Sequence, residues 1–218
     1  MSFSVDLFFS FRSPYSYLAL TGTRQMTERY DVGVTLRPIY PLAVRVPGFF
    51  KRANPQFAKY VVLDSRRVAQ REGIPLRFPR PDPIVQDMTT LEVAAEQPYI
   101  HRLTRLCAAA QIEGRSLAFT QAIAPVLWDG SVKGWNEGDH LARAAANAGF
   151  DLAALDAAIV ADPDRYERII ADNEHDHAAC GHWGVPTFVF EGEPFFGQDR
   201  IDLLIWRMES KGLKPRDA

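Results

Sequence analysis

The clearest candidates for chemistry in this sequence are two serines three residues apart, in the segment Ser13-Pro14-Tyr15-Ser16. Serine is a preferred helix N-cap and proline suits the first helical position, so a helix is predicted to begin here. The N-terminus of a helix stabilises an anion through its dipole and its unpaired N–H groups. A serine hydroxyl at this place can donate a hydrogen bond to an anion supplied from outside, or it can simply cap the helix.

The elements around this motif follow the order strand, helix, strand, long helical block, hairpin, helix. The strands are short runs rich in aromatic and β-branched residues, predicted at Val5–Phe11, Val34–Ile39, Thr187–Phe190 and Pro194–Gly197. Two helices flank the block, one from Pro14 to about Tyr30 and one from Arg200, capped by Asp199, to about Met208. The helices of the block have apolar residues at helical spacing, and they are predicted at Phe57–Glu72, Asp87–Glu96, Tyr99–Ala110, Ser116–Leu127, Glu137–Ala148, Leu152–Val160 and Pro163–Cys180, the last capped by Asp162.

Without the helical block this order is βαβ followed by ββα, which is the plan of the thioredoxin fold. We therefore predict an α/β, thioredoxin-like fold with an all-helical insertion of about 130 residues between its two halves. The predicted division assigns residues 1–45 and 181–218 to the thioredoxin-like domain and residues 46–180 to the helical insertion.

A redox enzyme of this plan carries Cys-x-x-Cys at the start of the first helix, where this chain has hydroxyls instead. A hydroxyl cannot cycle through a disulfide, but a charge-assisted hydrogen bond to a thiolate contributes about 1.5–3 kcal/mol. One pKa unit corresponds to about 1.4 kcal/mol, so one such bond would lower the pKa of a bound thiol by roughly one to two units. Cys107 and Cys180 form no Cys-x-x-Cys motif and are interpreted as two separate thiols.

A second motif, Gly184-Val185-Pro186-Thr187, places a proline directly before a predicted strand. Taken alone, a proline at the start of a strand is ordinary. In the thioredoxin plan this position is a cis-proline that faces the first helix, and the residue before it pairs with a bound cysteinyl peptide through its backbone. This second motif favours the catalytic interpretation of Ser13 over capping alone.

Three segments together resemble the 2-hydroxychromene-2-carboxylate isomerase family, which is similar to the kappa-class glutathione transferases. They are Phe8–Ala19, Gly184–Val189 and Phe196–Arg200, and the likeness extends over nearly the whole chain. The resemblance implies a cytoplasmic homodimer that uses glutathione as cofactor and isomerises a conjugated aromatic acid by reversible thiolate addition. A kappa-type transferase that conjugates electrophiles stays open as the alternative, and a non-catalytic thioredoxin-like binding module is a third.

The resemblance also implies roles for individual residues. Ser13 is the catalytic serine that contacts the glutathione sulfur, with Pro14 and Tyr15 beside it. The backbone of Val185, next to Pro186, holds the cysteinyl unit.

The two ends of glutathione have separate candidates. Gln198 and Asp199 match a pair that binds the γ-glutamyl end, where a helix N-terminus suits the carboxylate and Asp199 suits the ammonium. Asn54 lies near a family asparagine that contacts glutathione. The family often has a lysine where this chain has Phe57, so the candidates for the glycyl carboxylate are the neighbouring cations Lys51, Arg52 and Lys59.

The aromatic substrate implied by the resemblance needs a pocket under the helical insertion. Trp128 is a candidate to line it, with core packing as the other interpretation. Arg45, Phe49 and Phe50, in the loop after the second strand, are further candidates, and an arginine there suits a substrate carboxylate.

Several other classes of function have little support. His175, His177, Cys180 and His182 suggest a metal cluster, but two residues at i and i+2 of a helix point about 200° apart, so we predict a solvated helix end and no metal. The net charge of −2 gives no case for nucleic acid or an anionic membrane surface. No apolar run reaches the roughly 18 residues that span a bilayer, and the N-terminus lacks signal-peptide features, so a cytoplasmic protein is expected.

Overall fold

A computed structural model of the protein describes residues 3–87 and 89–216, and its sheet has four strands. They are β1 (Phe3–Phe9), β2 (Val32–Pro38), β3 (Thr187–Phe190) and β4 (Glu193–Phe196), in the order β2-β1-β3-β4. β1 pairs in parallel with β2, where Leu7 lies opposite Leu36, and antiparallel with β3, where Leu7 lies opposite Phe188. This is the predicted thioredoxin-like sheet.

The helices follow the predicted order with two additions and one omission. They are α1 (Pro14–Arg29), α2 (Leu42–Arg45), α3 (Phe49–Arg52), α4 (Pro55–Glu72), α5 (Pro98–Ile112), α6 (Ser116–Trp128), α7 (His140–Asn147), α8 (Leu152–Ala161), α9 (Pro163–Ala179) and α10 (Ile201–Glu209). The short helices α2 and α3 occupy the segment that was predicted to be a loop. Between the two halves of the sheet, the named elements from α2 to α9 are all helices, joined by two long irregular segments at 73–97 and 129–139.

The helical insertion packs around α5. Its side chains Cys107, Ala108 and Ala110 are fully buried, and α6, α8 and α9 contact it from different sides. α5, α6 and α9 also contact β2, so the insertion and the sheet share one hydrophobic core. The boundaries of the predicted division, at residues 45/46 and 180/181, stay a prediction.

The predicted helix at Asp87–Glu96 is wrong. Oδ1 of Asp87 accepts the N–H groups of Thr89 and Thr90 at 2.7 and 3.0 Å, and Leu91 has φ 58°, which closes a turn and opposes a helix. Met88 lies outside the described residues. The helix predicted from Glu137 begins only at His140, since Gly138 has a positive φ of 61°.

Two predicted caps are confirmed and one is wrong. The side chains of Ser13 and Asp162 accept N–H groups at the starts of α1 and α9. Asp199 instead lies inside a 3₁₀ turn, Gln198–Arg200, and makes no cap for α10. Within the described part of the chain, no single helix is long and apolar enough to cross a membrane. The two helices His140–Asn147 and Leu152–Ala161, which are bent against each other, would together be long and apolar enough, by length and composition only.

Candidate active site

Ser13 both caps α1 and bridges to the other half of the sheet. The first N–H groups of a helix have no partner within the helix, and Ser13 Oγ accepts one of them, that of Ser16, at 3.2 Å. The same hydroxyl donates to the carbonyl oxygen of Val185 at 3.4 Å. The capping and the catalytic interpretations therefore describe one geometry, because the capping oxygen still has a proton to donate.

The segment before β3 is held by several hydrogen bonds. The Val185–Pro186 peptide bond is cis, as predicted. The Gly184 carbonyl accepts the Thr187 hydroxyl at 2.7 Å and lies 2.9 Å from Nε2 of His177. These bonds place the Val185 backbone opposite the N-terminus of α1.

The prediction that His177 belongs to a solvated helix end is wrong. Its side chain is fully buried, and burial lowers its pKa to about 4, so the ring is neutral at pH 7. A carbonyl only accepts, so Nε2 carries the proton that is donated to Gly184, while Nδ1 is buried without a partner among the described residues. Sequence reasoning missed this role because no local signal separates a buried histidine from an exposed one.

The other members of the suspected metal cluster have different partners. Nδ1 of His182 accepts the Gly184 N–H at 3.0 Å, and Sγ of Cys180 donates to the His177 carbonyl at 2.9 Å. His175 is exposed. Among the described residues there is no group of three or more His, Cys, Asp or Glu side chains that could hold a metal ion.

A cleft of about 320 Å³ opens beside Ser13. Its wall is largely apolar and aromatic, and it includes Phe49, Phe50, Phe57, Phe78, Trp128, Trp183 and Phe196. Trp128 is buried, stacks on Tyr17 with ring centroids 6.0 Å apart, and donates Nε1–H to the Phe11 carbonyl at 2.9 Å. The predicted pocket residues Phe49, Phe50 and Trp128 are thus brought together, and Trp128 is also part of the core.

Tyr15 joins the active-site helix to α4. Its hydroxyl donates to Oδ2 of Asp64 at 2.7 Å, and Tyr60 donates to Oδ1 of the same carboxylate at 3.3 Å. Burial first, and then the hydrogen bond to Asp64, raise the pKa of Tyr15, so this phenol keeps its proton. Tyr15 lines the cleft directly after the Ser13-Pro14 pair.

Gln198 and Asp199 lie next to the cis-proline segment but outside the cleft. The Gly197 N–H donates to the Pro186 carbonyl at 2.9 Å, which holds their turn against that segment. Both residues line a neighbouring pocket of about 410 Å³ between α1, α4 and α10. The Asp199 carboxylate is paired with Arg200 at 2.9 Å.

Two further predicted binding residues, Asn54 and Arg45, do not line the cleft either. Asn54 caps α4 by accepting the Gln56 N–H at 2.9 Å and is absent from the cleft lining. Arg45 donates Nη2–H to the Trp183 carbonyl at 3.1 Å, and burial lowers the pKa of its guanidinium. The arginine that does line the cleft is Arg12, which sequence reasoning did not single out although it directly precedes Ser13.

The comparisons with known proteins agree with this geometry. The DSBA-like thioredoxin domain family matches residues 4–208. The chain belongs to that family. The match confirms the thioredoxin-like fold that was predicted from the sequence. No curated protein matches the chain.

Solved structures of two kinds of enzyme are similar to this member of the family. A 2-hydroxychromene-2-carboxylate isomerase is 24% identical, with 95% of each chain covered and a TM-score of 0.67. A probable DsbA oxidoreductase from Streptomyces coelicolor is 18% identical, with 99% of this chain and 93% of that chain covered and a TM-score of 0.66. The cytosolic disulfide reductase DsbM from Pseudomonas aeruginosa, in a structure with GSH, is 18% identical, with 94% and 99% covered and a TM-score of 0.56. At these identities the likeness establishes the fold alone.

Proposed function

We propose that this protein is a glutathione-dependent isomerase of a conjugated aromatic acid. The observation that carries the proposal is the position of Ser13, whose hydroxyl caps α1 and lies 3.4 Å from the carbonyl before the cis-proline. A donor at a helix N-terminus suits a thiolate, and the Val185 backbone suits the cysteinyl unit that bears it. The apolar, aromatic lining of the adjoining cleft suits a flat aromatic substrate.

The described residues fit glutathione at three places. Ser13 can turn its proton from the Val185 carbonyl to a sulfur anion, a bond that contributes about 1.5–3 kcal/mol. Val185 supplies backbone groups in a segment fixed through Gly184. Gln198 and Asp199, tethered to the same segment through Gly197, are the proposed contacts of the γ-glutamyl end.

When bound, glutathione supplies a nucleophilic thiolate whose reversible addition to a conjugated double bond permits rotation before elimination restores the bond. The protein's part is to hold that thiol ionised through Ser13 and the start of α1. Trp128 and the phenylalanines of the cleft hold the aromatic ring and exclude water. The protonated Tyr15 keeps α4 in place beside the cleft through Asp64.

The glycyl carboxylate of glutathione needs a cation on the α4 side of the cleft. Nζ of Lys51 is paired with Glu92 at 2.8 Å, which leaves Arg52 and Lys59 as cations to test on this side of the cleft. Asn54, at the start of α4, is a proposed contact only if glutathione extends beyond the cleft toward that helix.

Calorimetry with reduced glutathione, followed by product analysis on aromatic enones, tests the proposal. We expect binding, isomerised product and no net loss of glutathione. Consumption of glutathione with release of an adduct would instead identify a kappa-type transferase, which the same apolar cleft supports. The absence of glutathione binding would favour a non-catalytic thioredoxin-like module.

A disulfide oxidoreductase has less support from the positions of the two cysteines. Cys107 is fully buried, and burial raises the pKa of its thiol to about 12. Neither Cys107 nor Cys180 lines the cleft. A thiol-disulfide exchange assay is therefore expected to give no turnover.

The cellular setting is a further proposal. A cytoplasmic location fits a protein that depends on reduced glutathione, because thiols are kept reduced there. The homodimer implied by the resemblance is tested by light scattering combined with size-exclusion chromatography, and a monomer would contradict it.

A further inference from the structure

The one cationic side chain among the described residues that line the cleft is that of Arg12. It directly precedes Ser13 in the chain. Its Nε and Nη2 groups donate to the two oxygens of Asp82 at 2.9 and 3.1 Å, and its guanidinium lies over the ring of Phe50, 5.1 Å from the centroid. Nη1 donates no hydrogen bond within the part of the chain that the structure describes.

Asp82 is in turn the one acidic side chain of this lining. It comes from the proline-rich segment Pro75–Pro83, and its Oδ1 also accepts the Ile84 N–H at 3.0 Å. The remaining wall is apolar or aromatic except for a few neutral polar groups. Arg12 is therefore held in a planar, bidentate arrangement with a carboxylate, at the edge of an apolar surface that suits an aromatic ring.

From this arrangement we infer that Arg12 binds the carboxylate of the aromatic substrate and that Asp82 occupies its place when the cleft is empty. The inference rests on the proposed function, and it names the residue that selects an acid over a neutral compound. A guanidinium fork fits any carboxylate in two parallel hydrogen bonds. A substrate carboxylate can thus replace that of Asp82 or use the free Nη1 beside it.

The partial exposure of the pair makes this exchange feasible. The side chain of Arg12 is 21% exposed and that of Asp82 is 46% exposed. A pair that is open to solvent is held weakly, because water screens the attraction. The Phe50 ring keeps the guanidinium in the cleft when Asp82 moves away, because the cation is attracted to the face of the ring.

The competing explanation is that the ion pair only fastens the proline-rich segment to the start of α1. In that case the loss of Arg12 would weaken the binding of every aromatic ligand alike. Under the exchange hypothesis, the loss affects ligands with a carboxylate and spares neutral ligands of the same shape. A matched acid and amide therefore separate the two explanations.

The experiment measures the dissociation constants of trans-cinnamate and trans-cinnamamide by calorimetry, with and without glutathione. In the unaltered protein we expect the acid to bind about tenfold more tightly than the amide or better, as one charge-assisted contact predicts. Arg12→Met should bring the ratio of the two constants close to one. Asp82→Asn should tighten binding of the acid several-fold and leave that of the amide unchanged, because the competing carboxylate is gone.

Arg80→Met is the matched control, since Arg80 is an exposed arginine of the same proline-rich segment and does not line the cleft. Its acid-to-amide ratio should equal that of the unaltered protein. Arg12→Lys keeps the positive charge but not the two parallel donors, so its acid-to-amide ratio should lie between that of the unaltered protein and one. It serves as the test should Arg12→Met fail to fold. Equal binding of acid and amide to the unaltered protein, or an unchanged ratio in Arg12→Met, would overturn the inference.

The comparison of acid and amide binding does not depend on whether glutathione binds or reacts. Failure of glutathione to bind would overturn the proposed function while the acid-to-amide ratio is still measured in its absence. Conversely, a ratio of one together with normal glutathione binding and isomerisation would reject only the role of Arg12.

Discussion

The Ser13 hydroxyl donates to the Val185 carbonyl across 3.4 Å and joins the first helix of the fold to the cis-proline segment. The two residues are 172 positions apart in the chain. At this length the bond is weak and easily exchanged, because hydrogen bonds from a hydroxyl are usually shorter than 3.0 Å. The thiolate of the proposed glutathione complex, placed between the helix and the segment, can therefore accept this hydrogen bond in place of the carbonyl at little cost.

Removal of the Ser13 hydroxyl tests its role as a donor to a thiolate. In Ser13→Ala we expect the pKa of bound glutathione to rise by roughly one to two units, as loss of one charge-assisted bond implies. Ultraviolet absorbance of the thiolate, titrated against pH, measures this, and turnover at neutral pH should fall roughly ten- to a hundredfold.

Two variants separate this role from helix capping. Ser13→Gly is tolerated at a helix N-cap at a cost of only a few tenths of a kcal/mol but has no proton to donate, so it should nearly keep the stability and still raise the pKa of the bound thiol. Asp162→Ala removes the cap of α9, at a cost of about 1 kcal/mol, and should leave the thiol pKa unaltered. Normal thiolate absorbance in Ser13→Gly would mean that the hydroxyl only caps the helix.

Gly184 is predicted to tolerate no side chain while Phe196 is in place. A Cβ atom at Gly184 would lie 2.6 Å from Cε2 and 3.0 Å from Cζ of Phe196. Gly184→Ala should therefore displace the backbone next to Val185, lower the free energy of unfolding by about 1–3 kcal/mol, and weaken glutathione binding. Calorimetry and urea denaturation measure the two effects.

The double variant Gly184→Ala/Phe196→Ala is the control for that clash. Removal of the ring makes room for the new methyl group, so glutathione affinity should return to that of Phe196→Ala alone. A double variant as weak as Gly184→Ala would place the cause in the second close contact of the new Cβ, 3.2 Å from Cε1 of His182, and not in that with Phe196.

The hydrogen bond from Tyr15 to Asp64 should stabilise the attachment of α4 to α1. Tyr15→Phe leaves a half-buried carboxylate without its closest donor, so the free energy of unfolding should fall by about 1–3 kcal/mol. Tyr60→Phe removes the longer, exposed bond to the same carboxylate and should cost less than about 0.5 kcal/mol. If urea denaturation shows that both variants lose the same free energy of unfolding, the bond from Tyr15 stabilises the protein no more than the bond from Tyr60.

His177 should make the protein less stable in acid. Its pKa is lowered from 6.5 to about 4 in the folded state, so below pH 6.5 the unfolded chain binds a proton that the folded chain does not. The contribution of the neutral His177 ring to the free energy of unfolding is complete above pH 6.5. It is lost progressively as the pH falls to about 4, by at most about 3 kcal/mol.

The variant His177→Gln isolates this titration. Glutamine retains a donor for the Gly184 carbonyl but does not ionise, so the free energy of unfolding should fall less between neutral pH and about pH 5. His175→Gln, on the exposed side of the same helix, is the control for replacing a histidine of α9 by glutamine. Burial also lowers the pKa of His101, which accounts for a residual dependence in the variant. Identical pH profiles for His177→Gln and the unaltered protein would contradict this assignment.

Elements with strong local signals were predictable from the sequence. The Ser-Pro pair marks the start of α1, and Asp162-Pro163 marks the start of α9, because capping involves only neighbouring residues. A local side-chain hydrogen bond also explains why the helix predicted at Asp87–Glu96 does not form. The Asp87 side chain closes a turn, which outweighs the helix formers that follow.

The candidate site was predictable only in part. Ser13 and the Val185-Pro186 pair were found because their motifs are specific and the order of elements brings them together. Arg12 and Asp64 were missed as participants because their partners Asp82 and Tyr15 are distant in the chain. His177 was missed because no local signal shows that it is buried. Arg45 was chosen as the cleft's arginine from its residue type, yet its guanidinium is bound to the Trp183 carbonyl.

The sequence by itself determined the thioredoxin-like plan and the substitution of a hydroxyl for the reactive thiol, because both follow from local patterns and their order. Only the tertiary structure decided which arginine faces the cleft and which carboxylate opposes it. Arg12 and Asp82 are 70 positions apart, and their contact depends on how the proline-rich segment packs against the start of α1. Likewise, the Ser13 hydroxyl is a bridge as well as a cap only because the pairing of β3 with β1 brings the Val185 carbonyl to the start of α1.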